Sequence, residues 1–177
     1  MNWNGNILEV RSERLLILLA FLSLTVPLRA QKLAVGIDGA WAAAGMFGGS
    51  AEMGAGSRTT IGLSAVAATK PWINSGVTGV AIQPEIRYYF SGRAMWRHFV
   101  GLAAVAGTYD MHLHRDHYQG NALGVGVTFG YAVPLARRWS ADFHSGFGIV
   151  NTDDRYHGHQ KYTIPTKMGI TLSYIIW

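Results

Sequence analysis

Five of the seven histidines crowd into two short stretches. "HLHRDH" holds His112, His114 and His117, and "HGH" holds His157 and His159. Imidazoles at alternate positions of an extended chain point the same way. With a carboxylate such as Asp116 or Asp153 they offer the donor types that suit Zn²⁺ or Cu²⁺. Against this, polar loops are rich in solvated histidine, and the sequence names no group that would orient these rings. The expectation is therefore no metal and no cofactor, with these five histidines as the candidates to examine. A second pair, His144 and Ser145, is adjacent in "FHSGF", so in a strand the two face opposite sides and cannot act as a dyad. No nucleophile, base and orienting group come together, and an enzyme is not expected.

The remaining charged groups sit in a different pattern. Asp38, Glu52, Glu85, Arg87, Asp142 and Lys167 each interrupt a run in which large apolar residues occupy every second position. The plainest case is "LGVGVTFGYAV" (123–133). Its odd positions are mostly bulky and apolar and its even positions are Gly, Thr or Ala. Period two is the signature of a strand with two different faces. It recurs over 33–41, 50–55, 59–65, 82–90, 98–109, 123–133, 139–149 and 167–176. The segment 98–109 is apolar on both faces, so its sidedness stays open. No window after residue 31 carries a helical period.

Eight such strands, large apolar groups on one face and glycines with scattered charges on the other, predict an all-β fold. The reading is an eight-stranded antiparallel up-and-down transmembrane β-barrel with lipid outside and charges inside. A soluble ligand-binding barrel inverts that order, with apolar groups inside. Connections at 56–58, 91–97 and 135–138 are short and basic. Those at 45–49, 69–76, 109–120 and 151–163 read as mostly longer polar loops, the asymmetry such barrels show. Trp41, Trp72, Tyr109, Tyr118 and Tyr162 near the loop ends, and Tyr88, Phe90, Trp96, Tyr131, Trp139, Tyr174 and Trp177 near the turns, predict two aromatic girdles. Pro84, mid-strand, cannot donate to a ladder, and a closed barrel has no edge, so a bulge or a gap in pairing is expected there.

Residues 1–30 read as a cleaved signal peptide: Arg11 and Arg14, the apolar run "LLILLAFLSLTV" (15–26), and Ala30 before the cut. Residues 31–177 form the barrel domain. Charged residues make up only 14% of the chain, against about 25% in soluble domains. The net charge of +5 is not gathered into a stripe, and no nucleic acid partner is expected. Inside an eight-stranded barrel Glu85 and Arg87 would meet Lys167 and one or more of Asp38, Glu52 and Asp142, with Lys167 and Asp38 brought near each other where strand eight closes on strand one. An unpaired buried charge is costly. The end of the chain carries Lys167, Gly169, Leu172, Tyr174 and the terminal Trp177, the spacing expected of an assembly signal read by barrel-insertion machinery.

"IQPEIRYYF" (82–90), "YQG" (118–120) and "PTKMGITLSYII" (165–176) resemble the outer-membrane barrel family catalogued as domain of unknown function 3575. "KPW" (70–72) and "RRWSADF" (137–143) are similar too, and the likeness covers about residues 45–177. The resemblance implies the outer membrane of a Gram-negative cell and a link to fimbrial or other surface proteins. It carries over no catalytic residue. The expected role is structural or interactive at the cell surface, with long loops extracellular, chain ends periplasmic, and outer-membrane lipid and a surface or fimbrial protein as partners. An outer-membrane lipid-modifying enzyme and a soluble ligand-binding barrel are the alternatives.

Overall fold

The computed structural model describes residues 32–71, 76–113, 116–156 and 158–176. The proposed leader, Trp72, His114, His157 and Trp177 lie outside the described residues. The strands are β1 (Leu33–Asp38), β2 (Phe47–Gly54), β3 (Thr59–Thr69), β4 (Val77–Tyr89), β5 (Arg97–Leu113), β6 (Asp116–Pro134), β7 (Trp139–Asp154) and β8 (Gly158–Ile175), with one short helix, α1 (Gly39–Ala43), between β1 and β2. Each strand pairs antiparallel with the next, and β8 pairs with β1, closing the ring.

The register fixes the shape. Followed once round the ring, the ladder returns to β1 about ten residues further along. A stagger of about ten residues, ~33 Å, over eight strands ~4.8 Å apart tilts the strands by roughly 40°. Side chains alternate across the wall as the sequence pattern demands. Leu123, Val125, Val127 and Phe129 are more than half exposed, while Glu85, Arg87, Asp142 and Lys167 are buried. The face of β5 left open by sequence resolves: Val100 and Leu102 point out, Phe99 and Ala103 point in.

Four features depart from or refine the sequence reading. The first strand stops at Asp38 and Trp41 lies on α1, because the Asp38 carboxylate accepts from the Ala40 and Trp41 N–H groups at 2.9 and 3.2 Å and caps the helix. The stretches read as loops at 109–120 and 151–163 are largely strand: β5 and β6 run to a hairpin at 113–116, and β7 and β8 to one at 154–158. Polar residues there are not signs of a coil, because a strand standing clear of an apolar band has no reason to be apolar. Pro84 keeps its partner Leu63 on β3, while the β4–β5 ladder skips positions 83 and 84 and resumes in the same register. It is a gap, not a bulge. A true register shift lies between β7 and β8, where Gly146 pairs with Lys167 but Phe147 with Pro165. The extra residue, Thr166, and its neighbour Lys167 both turn inward, against Gly126 and Gly148 and against Glu85 respectively.

Candidate functional site

The lumen is built in layers. At the short-turn end Tyr89, Phe99, Ala94 and Ala132 form an apolar plug, with Ala94 N–H donating to the Ser57 carbonyl at 2.7 Å so that the 90–96 turn folds across the opening. Above it lies the charge layer, where Arg87 is the hub. Its Nη1 stands 3.0 Å from Glu52 Oε2 and also meets Asp142 Oδ2, and its Nη2 stands 3.0 Å from Glu85 Oε2. The guanidinium lies 4.4 Å above the Phe99 ring. Lys167 Nζ reaches the same Glu85 oxygen at 2.8 Å and Ser64 Oγ at 3.2 Å. The Thr128 hydroxyl donates to Glu85 Oε1, and Tyr89 OH donates to Glu52 Oε1 at 2.8 Å. Charge-assisted bonds in so closed a space are strong.

The layer continues toward α1 through His144. Its Nε2 is 3.3 Å from Asp38 Oδ2 and its Nδ1 is 3.7 Å from Asp142 Oδ1, with Thr171 Oγ1 3.4 Å from the same Asp38 oxygen. The structure thus brings Glu52, Glu85, Arg87, Asp142 and Lys167 together. It sets Asp38 one step away, linked through His144 rather than to Lys167. His144, Tyr89 and Thr128 were not assigned to this set by sequence, although His144 lies two residues from Asp142 on the same face. Two glycines make room for it. A Cβ at Gly101 would sit 2.8 Å from Glu85 Oε1, and one at Gly169 would sit 2.8 Å from both Asp38 oxygens. Between the charge layer and α1 is a cavity of about 120 Å³ lined by Trp41, Ser50, Ser64, Gln83 and Thr166, among others.

The C-terminal residues are now separable. Lys167 and Gly169 face the lumen for the reasons just given. Leu172 is 46% exposed on the outer face, and Tyr174 stacks edge-on against Trp139 at 5.2 Å while Arg138 donates to its hydroxyl at 3.1 Å. Tyr88 and Phe90 make a similar T-shaped pair, with Arg58 on the Tyr88 hydroxyl at 3.3 Å. The turn end therefore carries aromatics tied to arginines. At the opposite end the girdle is, among the described residues, thinner than the sequence suggests. Trp41 lines the cavity, and the Tyr109 hydroxyl donates to buried Asp154 at 3.1 Å.

Of the histidine candidates, His112 and His117 face each other across the β5–β6 ladder, their rings stacked 4.0 Å apart. The carboxylate that joins them is Asp110, not Asp116 or Asp153: its Oδ1 is 3.0 Å from His117 Nε2 and 3.8 Å from His112 Nδ1. Asp116 neighbours His117 in the strand and so takes the other face. Asp153 pairs with His159 instead, at 2.8 Å. Ser145 stands on the outer wall between Phe129 and Met168, across the strand backbone from His144.

A closed antiparallel barrel that exposes its large apolar residues and buries its charges is an inside-out protein by the standards of a water-soluble fold. The chain belongs to the family described as protein of unknown function (DUF3575), whose model matches residues 15–176. That match includes residues 32–44, which the sequence reading had left outside the likeness. No curated protein and no solved structure matches the chain.

Proposed function

We propose that this protein is a small outer-membrane β-barrel with a structural or interaction role at the cell surface. On this reading it crosses lipid with its strands, holds the β5–β6 and β7–β8 hairpins outside the cell and keeps both chain ends in the periplasm. The observation that carries the reading is the apolar outer wall. On β6 the wall runs from Leu123 to Val133, ten rises or ~34 Å along the strand. Tilted by roughly 40°, that is about 26 Å of height, close to the ~25 Å apolar band of such barrels. The same wall argues against the soluble alternative, since it would leave Leu123, Val125, Phe143, Phe147 and Met168 in water.

An interaction role is favoured over catalysis because the carboxylates of the lumen, Glu52, Glu85 and Asp142, are held in ion pairs by Arg87 and Lys167 beneath α1. Among the described residues the outward Ser145 pairs with Phe129 and Met168, and His98, which lines the same outer groove, stands two strands away on β5. The strands that project furthest, β5 to β8, carry the polar hairpins, the natural surface for a fimbrial or other surface protein. Insertion would use the outward residues Leu172 and Tyr174 as the assembly signal.

Fractionation with gel mobility before and after boiling tests the barrel. An epitope placed at Gly158 is expected to be reachable on intact cells and one at Gly92 not. Recovery in the soluble fraction, or the reverse accessibility, overturns the reading. For assembly, Leu172→Ser with Tyr174→Ser should strand the chain in the periplasm yet let it refold slowly in detergent. Normal insertion of that variant would remove the signal assignment.

A further inference from the structure

Among the described residues, Asp110, His112 and His117 form a group of three whose ligand atoms all lie within 4.8 Å of one another. We propose that these three residues hold a single divalent transition-metal ion, of the zinc or copper class, at the tip of the β5–β6 hairpin. The inference rests on the barrel and its register alone, and does not depend on which compartment the tip faces.

Three features of the geometry support it. First, the ladder fixes the set. His112 and His117 are direct cross-strand partners, and Asp110 lies two residues before His112 on the same face. All three side chains therefore leave a paired backbone in one direction, and the His112 N–H is further tied to the Gly76 carbonyl at 2.9 Å. Second, the spacing is near what an ion needs. Ligand atoms ~2.0–2.1 Å from one tetrahedral ion stand about 3.3–3.4 Å apart. Asp110 Oδ1 is 3.0 Å from one imidazole nitrogen and 3.8 Å from the other, one distance either side of that value. The stacked rings open by rotation about χ2, a broad and soft torsion. Third, the carboxylate is already oriented. Gln119 Nε2 donates to Asp110 Oδ2 at 3.1 Å, which leaves Oδ1 to the histidines. A group that holds a ligand by its second atom is how metal sites fix their first shell.

The donor set names the metal class. Two imidazoles and one carboxylate suit zinc, copper or nickel, whereas calcium and magnesium take oxygen-only shells. Three protein ligands leave a fourth position open to water or to a group on a partner. The side chains of His112, His117 and Asp110 are 64%, 31% and 40% exposed, so an ion can enter and leave without the fold opening. Among the described residues His159 with Asp153 makes a two-residue pair, and serves as the control.

The test uses the full-length folded chain in detergent micelles, stripped with EDTA and dialysed against Zn²⁺, with bound zinc read by atomic absorption and the fold checked by circular dichroism. The wild-type chain should hold one zinc, and His112→Gln with His117→Gln none. Gln119→Leu should weaken binding by about 10–100-fold, the usual effect of losing an outer-shell partner. His159→Gln should bind as wild type, and excess Ca²⁺ should not compete. Co²⁺ in place of Zn²⁺ should give visible d–d bands that the double-histidine variant lacks. A wild-type chain that takes up no zinc, or a double-histidine variant that binds as well as wild type, overturns the proposal, as does a loss confined to His159→Gln.

Discussion

Lys167 Nζ stands 2.8 Å from Glu85 in the lumen, and His159 Nδ1 stands 2.8 Å from Asp153 at the tip of the β7–β8 hairpin. The separation is the same and the surroundings are opposite. The lumen pair is 5% and 2% exposed; the hairpin pair is 83% and 66% exposed. In water the Coulomb term is small, salt screens it, and two free side chains must be held still to gain it. Between the barrel walls the attraction is larger, and so is the cost of stripping water from each group, so a lone charge there is the worst case. Distance alone does not tell what a charge pair does. The lumen pair is held by its surroundings, while the hairpin pair is free to trade its partner for water.

Breaking the hub of the lumen should have the largest effect. Arg87→Met leaves Glu52, Glu85 and Asp142 converging on an apolar side chain, and should lower the unfolding free energy in detergent by about 3–5 kcal/mol. A denaturant midpoint equal to wild type would erase the distinction between the two regions. Lys167→Met is milder, because Glu85 keeps Arg87 Nη2 at 3.0 Å and the Thr128 hydroxyl. A loss of about 1.5–3 kcal/mol is expected from the same titration. Tyr89→Phe removes one bond to Glu52, which retains Arg87, and fills nearly the same volume in the plug. Its cost should be about 1 kcal/mol, and a value as large as that of Arg87→Met would mean that the Tyr89–Glu52 bond, and not Arg87, is the hub of the layer. At the other extreme, His159→Gln and Asp153→Asn should leave the midpoint unmoved at any salt concentration. A measurable loss there would show that the hairpin is stabilised as the lumen is.

How much of this was legible in the sequence follows from the range of each signal. Side-chain alternation is local: each residue's face is set by its neighbours' backbone, so 123–133 announced its outer wall and Glu85 and Arg87 their shared inner face. The cap at Asp38 was also local, an aspartate before Gly-Ala-Trp-Ala-Ala, and its helix signal was masked by the period-two run leading into it. The hairpins were misread as loops because polar composition separates lipid from water better than it separates strand from coil.

By itself, then, the sequence determined eight strands, the face each residue takes outside β5, the glycine-rich inner wall and the set of charges that must find one another. Only the tertiary structure decided the partners: Lys167 on Glu85 rather than Asp38, His144 as the link from Asp38 to Asp142, Asp110 beside His112 and His117. A face is a property of one strand. A partner across the lumen depends on the stagger accumulated through eight registers, and one bulge at Thr166 shifts β8 past Gly146 by a residue, so no single strand contains the answer.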